Sequence, residues 1–231
     1  QGCQGAKPSP PPPMPLAPRT HNVISYAGAA LAFWASGWLC CGVLPWQPGA
    51  GVAAHGPLCW SLHFARRAVE SAGVHVYSQD SVPVDDTVTE FVYYWVFGAW
   101  ISCALSCSRD HWSTAPMLPV SSLAAAAGCA LWAGAELGNC VCHLELRWLR
   151  TCAAGAQSAS GRALPSRHVF GLLTHPHYSF EILSWLGFNI ATGCTVPGVL
   201  FMLVGGSIMS AWAHGKHRAL GERFSGRDGK P

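Results

Sequence analysis

Charge is scarce in this chain. Only 11% of its 231 residues are Asp, Glu, Lys or Arg, against about a quarter in ordinary soluble domains. The net charge of +3 argues against nucleic acid as a partner, since binding a phosphate backbone needs a dense basic patch. No GxGxxG follows a strand-like run, and there is neither a P-loop nor a strand-rich half. A Rossmann domain is therefore excluded, and any nucleotide has to bind between helices. The eleven cysteines include no CxxC pair. Cys40, Cys41, Cys59, Cys103, Cys107, Cys129, Cys140 and Cys194 lie in apolar runs and read as reduced, structural thiols. The eleven histidines give only HxH at 175–177 and HxxH at 214–217, beside Cys140, Cys142 and His143. Membrane di-iron centres use many more short His boxes, so no metal is expected. Internal repeats and heptads are absent. With no initiator Met and no clear signal peptide, the chain reads as a fragment or as lacking its true N-terminus.

What remains is apolar. Half the residues are hydrophobic and eleven are Trp, a residue that favours membrane–water interfaces. The class expected is an all-α, polytopic membrane protein with about five to seven membrane segments. Residues 1–20 form a Pro-rich leader expected to be extended and disordered, followed by one membrane domain over 21–231. Uncharged or nearly uncharged runs at 22–44, 87–106 and 120–141 match the roughly 20 residues that span a bilayer. A shorter run at 52–65 turns polar in HFARRAVES, where Arg66 and Arg67 read either as a solvated, snorkelling face or as ligand contacts. The run 181–212 is broken at 193–197 and suits a helical hairpin. Four Lys or Arg residues lie in 147–167 and five in 216–230. Basic clusters mark the cytoplasmic side, so both flanks of the hairpin are placed in the cytosol.

A few polar residues stand out against this background. In THPHYSFEILSWLGF, Tyr178 and Glu181 enter an apolar helix three residues apart, a spacing that puts them on one face. A carboxylate there is costly unless a partner or a function holds it. Asn139, His143, Arg147 and Arg150 form a stripe at spacings of four, four and three, and His214, Lys216 and His217 follow the hairpin. Arginine and lysine suit the phosphates of a nucleotide, while the amide and the carboxylate would orient a base or ribose. An ordinary basic membrane rim explains the arginines but not Asn139 or Glu181. Tyr178, protonated at neutral pH, is the best candidate for an acid. An interfacial aromatic is the bland reading of the same residue.

Five ordered segments carry a resemblance: LHFARRAVESAGVHVYS, FVYYWVFGAW, ELGNCVCHLELRWLR, HPHYSFEILSWLGF and MSAWAHGKHRALGERF. Over roughly 58–224 the chain resembles the very-long-chain enoyl-CoA reductases, within the wider steroid 5α-reductase family. The resemblance implies an all-helical fold in the endoplasmic reticulum membrane, with NADPH bound from the cytosol and the catalytic part at about 120–224. Tyr178 stands at the catalytic tyrosine. Asn139, His143, Arg147, Arg150, Glu181, Lys216 and His217 fall at cofactor-binding positions, and His63 and Arg67 at substrate-binding ones. The implied substrate is a long-chain trans-2-enoyl-CoA, with membrane lipid and other elongation enzymes as partners. Phe64, His177 and Leu220 depart from the family pattern. Reduction of a steroid or polyprenol double bond is a sibling reading. A membrane S-adenosylmethionine methyltransferase and a non-catalytic scaffold are readings from other classes.

Overall fold

The computed structural model describes residues 15–41, 55–106, 118–151 and 168–224. Most of the leader, the turn-rich stretch after residue 41, the loop 107–117, the loop with Arg162 and Arg167, and the tail from 225 lie outside the described residues. Among the described residues, six α-helices carry the fold: α1 Pro18–Cys41, α2 His55–Val69, α3 Val84–Ser106, α4 Ser122–Thr151, α5 Pro176–Thr192 and α6 Val196–Phe224. The all-α expectation holds. Among the described residues two helices, α3 and α6, are long and apolar enough to cross a membrane. At 15 and 17 residues, α2 and α5 fall short of the roughly 20 that a spanning helix uses.

Local chemistry sets the helix ends. Pro18 and Pro176 open α1 and α5, where a missing N–H costs nothing. Ser121 Oγ accepts from Ala124 N at 3.1 Å and caps α4. Asp85 and Asp86 sit in the first turn of α3, facing the positive end of its dipole. The start at Pro18 falls inside the expected leader, and Leu16 O accepts from Val82 N at 2.8 Å. The hairpin break is tight because Gly193 (φ 80°) and Cys194 (φ 56°) are both left-handed. Thr195 Oγ1 then caps α6 by accepting from Gly198 N at 3.2 Å. Between α2 and α3, Glu70–Val74 forms a π-helical turn closed by His75 N donating to Glu70 O at 2.8 Å.

The core is aromatic and centres on Trp60 of α2, which is 0% exposed. Its ring meets Phe33 at 5.3 Å, its own-helix neighbour Phe64 at 4.7 Å, Trp185 at 5.4 Å and Phe201 at 5.5 Å, so faces of α1, α5 and α6 converge on one side chain. Its indole Nε1 donates to Ala29 O at 3.2 Å, which satisfies the polar atom that burying this side chain would otherwise orphan. Helices α4 and α5 cross with Gly128 against Gly187. A Cβ on Gly187 would lie 2.5 Å from Trp132 N, and one on Gly128 2.5 Å from Ala191 N. This crossing brings the polar ends of α4 and α5 together beside α2.

Candidate active site

Each of three helices contributes one polar stripe. Helix α2 presents His63, Arg66 and Arg67, with Glu70 following in the π-turn; α4 presents Glu136, Asn139 and His143; α5 presents Glu181. His63 bridges two acids, with Nδ1 2.7 Å from Glu136 Oε1 and Nε2 3.1 Å from Glu181 Oε1. Ionised carboxylates only accept, so both ring nitrogens donate and the ring is an imidazolium. Arg66 donates to Glu136 Oε2 and Glu70 Oε1 at 2.6 Å each, and to Asn139 Oδ1 at 3.0 Å. Arg67 donates to Glu70 Oε2 at 3.0 Å and to Tyr26 OH at 3.2 Å. Asn139 returns its amide protons to Glu181 Oε2 at 3.0 Å and the His177 carbonyl at 2.8 Å. Three acids thus meet two guanidiniums and one imidazolium, and the charges balance.

The arginines are neither snorkelling nor solvated. Their side chains are only 17% and 14% exposed and are spent on acids. A polar atom is still left over: Arg66 Nη2 is buried without a hydrogen bond, with a Glu181 oxygen 4.0 Å away. His175 Nε2 and His177 Nδ1 are likewise buried and unpartnered. Orphaned polar atoms at such a place, an arginine donor and two imidazole nitrogens, are what a ligand would satisfy.

Tyr178 looks elsewhere. Although it lies one turn before Glu181, its hydroxyl accepts from Lys216 Nζ of α6 at 2.5 Å, and the same ammonium stands 5.0 Å from its ring centroid. The His177 ring lies against Tyr178 at 4.2 Å. His217 Nδ1 is 3.3 Å from Thr174 Oγ1, so two contacts bring the end of α6 back to the start of α5, as the hairpin required.

Arg147 and Arg150 lie further along α4. Arg147 donates to the carbonyls of Gly73 and Val74, and Arg150 to that of Val76. They clamp the π-turn and its exit. With Val74, His75, Val76, Tyr77, His143 and Leu146 they line a cleft of about 210 Å³. That is below the roughly 300–1,000 Å³ of small-molecule sites. Arg67 donates to His143 Nε2 at 3.2 Å. Because arginine only donates, the His143 proton sits on Nδ1, which is 2.9 Å from His75 Nε2. Both rings are then neutral. Burial, reinforced by Arg67, pushes His75 down to about 4 and His143 well below the usual imidazole range. Burial and then Lys216 push His177 down to about 3. Glu70, His75 and His143 bring ligand atoms within 4.8 Å of one another. Both oxygens of Glu70 are taken by arginines, however, so cationic charge already fills the place a metal ion would need.

Of the residues expected from sequence, His63, Arg67, Asn139, His143 and Glu181 share one network. Tyr178 and Lys216 form a pair beside it, joined through His177. Arg147 and Arg150 bond backbone, and His217 meets Thr174. Glu70, Glu136, Tyr26 and His75 were not assigned from sequence, and Arg66 was left between a solvated face and a ligand contact. Glu136 had a signal, since it sits three residues before Asn139 on the same stripe.

A family profile described as 3-oxo-5-alpha-steroid 4-dehydrogenase matches residues 80–227. The chain belongs to this family. The match holds every proposed site residue except His63 and Arg67. Among relatives, a very-long-chain enoyl-CoA reductase of Dictyostelium discoideum is 33% identical over 72% of this chain and 51% of its own length. A probable very-long-chain enoyl-CoA reductase of Caenorhabditis elegans is 29% identical over 71% and 52%. A trans-2,3-enoyl-CoA reductase-like protein of Bos taurus is 29% identical over 72% and 44%. The chain spans about half the length of the curated relatives it matches. Family membership agrees with the apolar α3 and α6 in marking a membrane protein.

Proposed function

We propose that the protein is an NADPH-dependent enoyl-CoA reductase that saturates the 2,3 double bond of a very-long-chain trans-2-enoyl-CoA during fatty acid elongation. It would act in the endoplasmic reticulum membrane with its site open to the cytosol, among lipid and the other elongation enzymes. The observation that carries the reading is the pairing of functions at the start of α5. Tyr178 presents a hydroxyl held by Lys216, while Glu181, one turn on, is fixed by His63 and Asn139.

A bound reduced nicotinamide supplies the hydride that the β-carbon receives. The chain's own residues do the rest. Tyr178 donates its proton to the α-carbon, or holds the enolate oxygen by a hydrogen bond until that proton arrives. Glu181 and Asn139 form a fixed polar wall for the cofactor's amide end, and the orphaned Arg66 Nη2 offers a further donor. Arg147, Arg150, His143 and His217 would face its phosphates, with His63 and Arg67 nearer the acyl thioester. A tyrosine acid suits an enoyl thioester, and the names of the relatives favour it over a steroid substrate. The test is direct. Detergent-purified protein with NADPH and a long-chain trans-2-enoyl-CoA should oxidise the cofactor and yield the saturated acyl-CoA. Bound NADPH with no turnover on enoyl-CoA would overturn the reading in favour of a scaffold, and binding of S-adenosylmethionine in place of NADPH would favour a methyltransferase.

A further inference from the structure

We infer that Lys216 is the positioning and proton-supplying partner of Tyr178, rather than primarily a phosphate contact for the cofactor. The inference rests on the reading of Tyr178 as the proton donor. Lys216 Nζ lies 2.5 Å from the Tyr178 hydroxyl and is its one hydrogen-bond partner among the described residues. An ammonium has three donors and no acceptor, so the phenolic oxygen must accept this bond, and the tyrosine's own proton stays available for substrate. The second contact, the ammonium 5.0 Å from the ring centroid, restrains the ring as well as the oxygen. Lys216 is exposed whereas Tyr178 is half-buried. The lysine thus extends from the half-buried tyrosine into solvent.

The balance is simple. As the hydride bonds to the β-carbon, the electron pair of the double bond moves to the α-carbon and takes the Tyr178 proton. The O–H bond breaks and a C–H bond forms. The negative charge left on the phenolic oxygen faces the Lys216 ammonium. One N–H proton crosses to that oxygen, and the neutral amine takes a proton from solvent water. No oxidant or reductant beyond the cofactor's hydride is needed. The other polar groups nearby do not offer this route. His175 and His177 meet the ring side of Tyr178 at 6.2 and 4.2 Å between centroids, and His217 is engaged with Thr174.

The two roles for Lys216 separate kinetically. A phosphate contact would raise the KM and Kd for NADPH and leave kcat alone, whereas a partner of Tyr178 lowers kcat and leaves cofactor affinity unchanged. Lys216→Ala should lose roughly ten- to a hundred-fold in kcat, at the low end of general-acid contributions. Its NADPH Kd should stay within about two-fold. Added methylamine should restore part of kcat in Lys216→Ala and nothing in Tyr178→Phe. Lys216→Arg, which donates but does not release a proton at neutral pH, should recover the hydrogen bond with only part of the rate. A readout free of turnover uses protein with tyrosines carbon-13 labelled at Cζ. The resonance missing in Tyr178→Phe should shift in Lys216→Ala and return towards its place in Lys216→Arg. An unchanged kcat in Lys216→Ala alongside an inactive Tyr178→Phe overturns this inference alone, as does a loss confined to NADPH affinity. Full activity of Tyr178→Phe overturns the proton-donor reading beneath it.

Discussion

His63 holds one proton against each of two acids, and it is 2% exposed. Removing it leaves Glu136 and Glu181 facing each other across a gap with one cation fewer. Breaking a buried ion pair by deleting one partner costs about 3–5 kcal/mol. His63→Gln should therefore lower the melting temperature of the detergent-solubilised protein markedly, while Tyr178→Phe, altered at a half-buried surface pair, should not. Equal melting of His63→Gln and parent would show that the imidazolium bridge is not formed. Tyr178 and Glu181 were legible in the sequence because a phenol and a carboxylate are conspicuous in an apolar run. Arg66 and Tyr26 were not, since a guanidinium beside a second one looks like a membrane rim. The hydrogen bond from Arg67 to Tyr26 joins residues 41 apart in the chain, and helical spacing does not register such a contact. Phe64, a departure from the family pattern, is 1% exposed among Tyr26, Trp60 and Tyr94. It serves the core, where a hydroxyl would need a partner of its own.

Among the elements, the π-helical turn depends on α4. Arg147 holds its last two carbonyls, and just beyond it Arg150 holds that of Val76 while His143 bonds His75. The folded state keeps His75, His143 and His177 neutral to well below the ordinary imidazole value near 6.5. Between that value and about 4, the unfolded chain binds protons that the folded chain refuses, so stability falls as pH is lowered through this window. Melting temperature measured from pH 7.5 down to 5 should decline, and the decline should weaken in His75→Gln. A flat profile would mean the three rings protonate freely in the fold. The α4–α5 crossing makes a separate prediction. Gly187→Val forces a side chain into the Trp132 backbone, an overpacking that costs about 1–3 kcal/mol or more, seen as a lower melting temperature and faster proteolysis. Helix positions and the hairpin break were readable from apolar runs and from Gly193–Pro197. The π-turn was not, because one extra residue in a turn leaves no mark on composition. The glycine crossing was equally hidden, since only the packed pair shows which glycines meet.

For the whole molecule, the contacts Lys216–Tyr178 and His217–Thr174 put both ends of the α5–α6 hairpin on one side. In the proposed topology, basic flanks make that side the cytosolic one. Only three lysines occur, at 7, 216 and 230, which gives a clean test. In sealed, cytosol-side-out microsomes carrying Lys7→Arg and Lys230→Arg, a membrane-impermeant amine reagent should modify Lys216 without detergent. Labelling only after permeabilisation would reverse the orientation. The number of crossings was less legible than the class of the protein. Composition identifies an apolar chain, but two of the six helices proved shorter than a bilayer, and polar stripes along α2 and α4 blur hydropathy where the site is built.

The charge-balanced network also has an order of synthesis built into it. His63, Arg66, Arg67 and Glu70 leave the ribosome on α2 and in its π-turn, Glu136 and Asn139 follow on α4, and Glu181 comes last on α5. Until α5 arrives, His63 has one acid rather than two, and the Asn139 amide lacks both of its acceptors. The polar centre thus completes itself only when nearly the whole described chain has been made, so a nascent chain arrested after α4 carries an open, cation-rich seam. That seam marks it as unfinished until α5 docks.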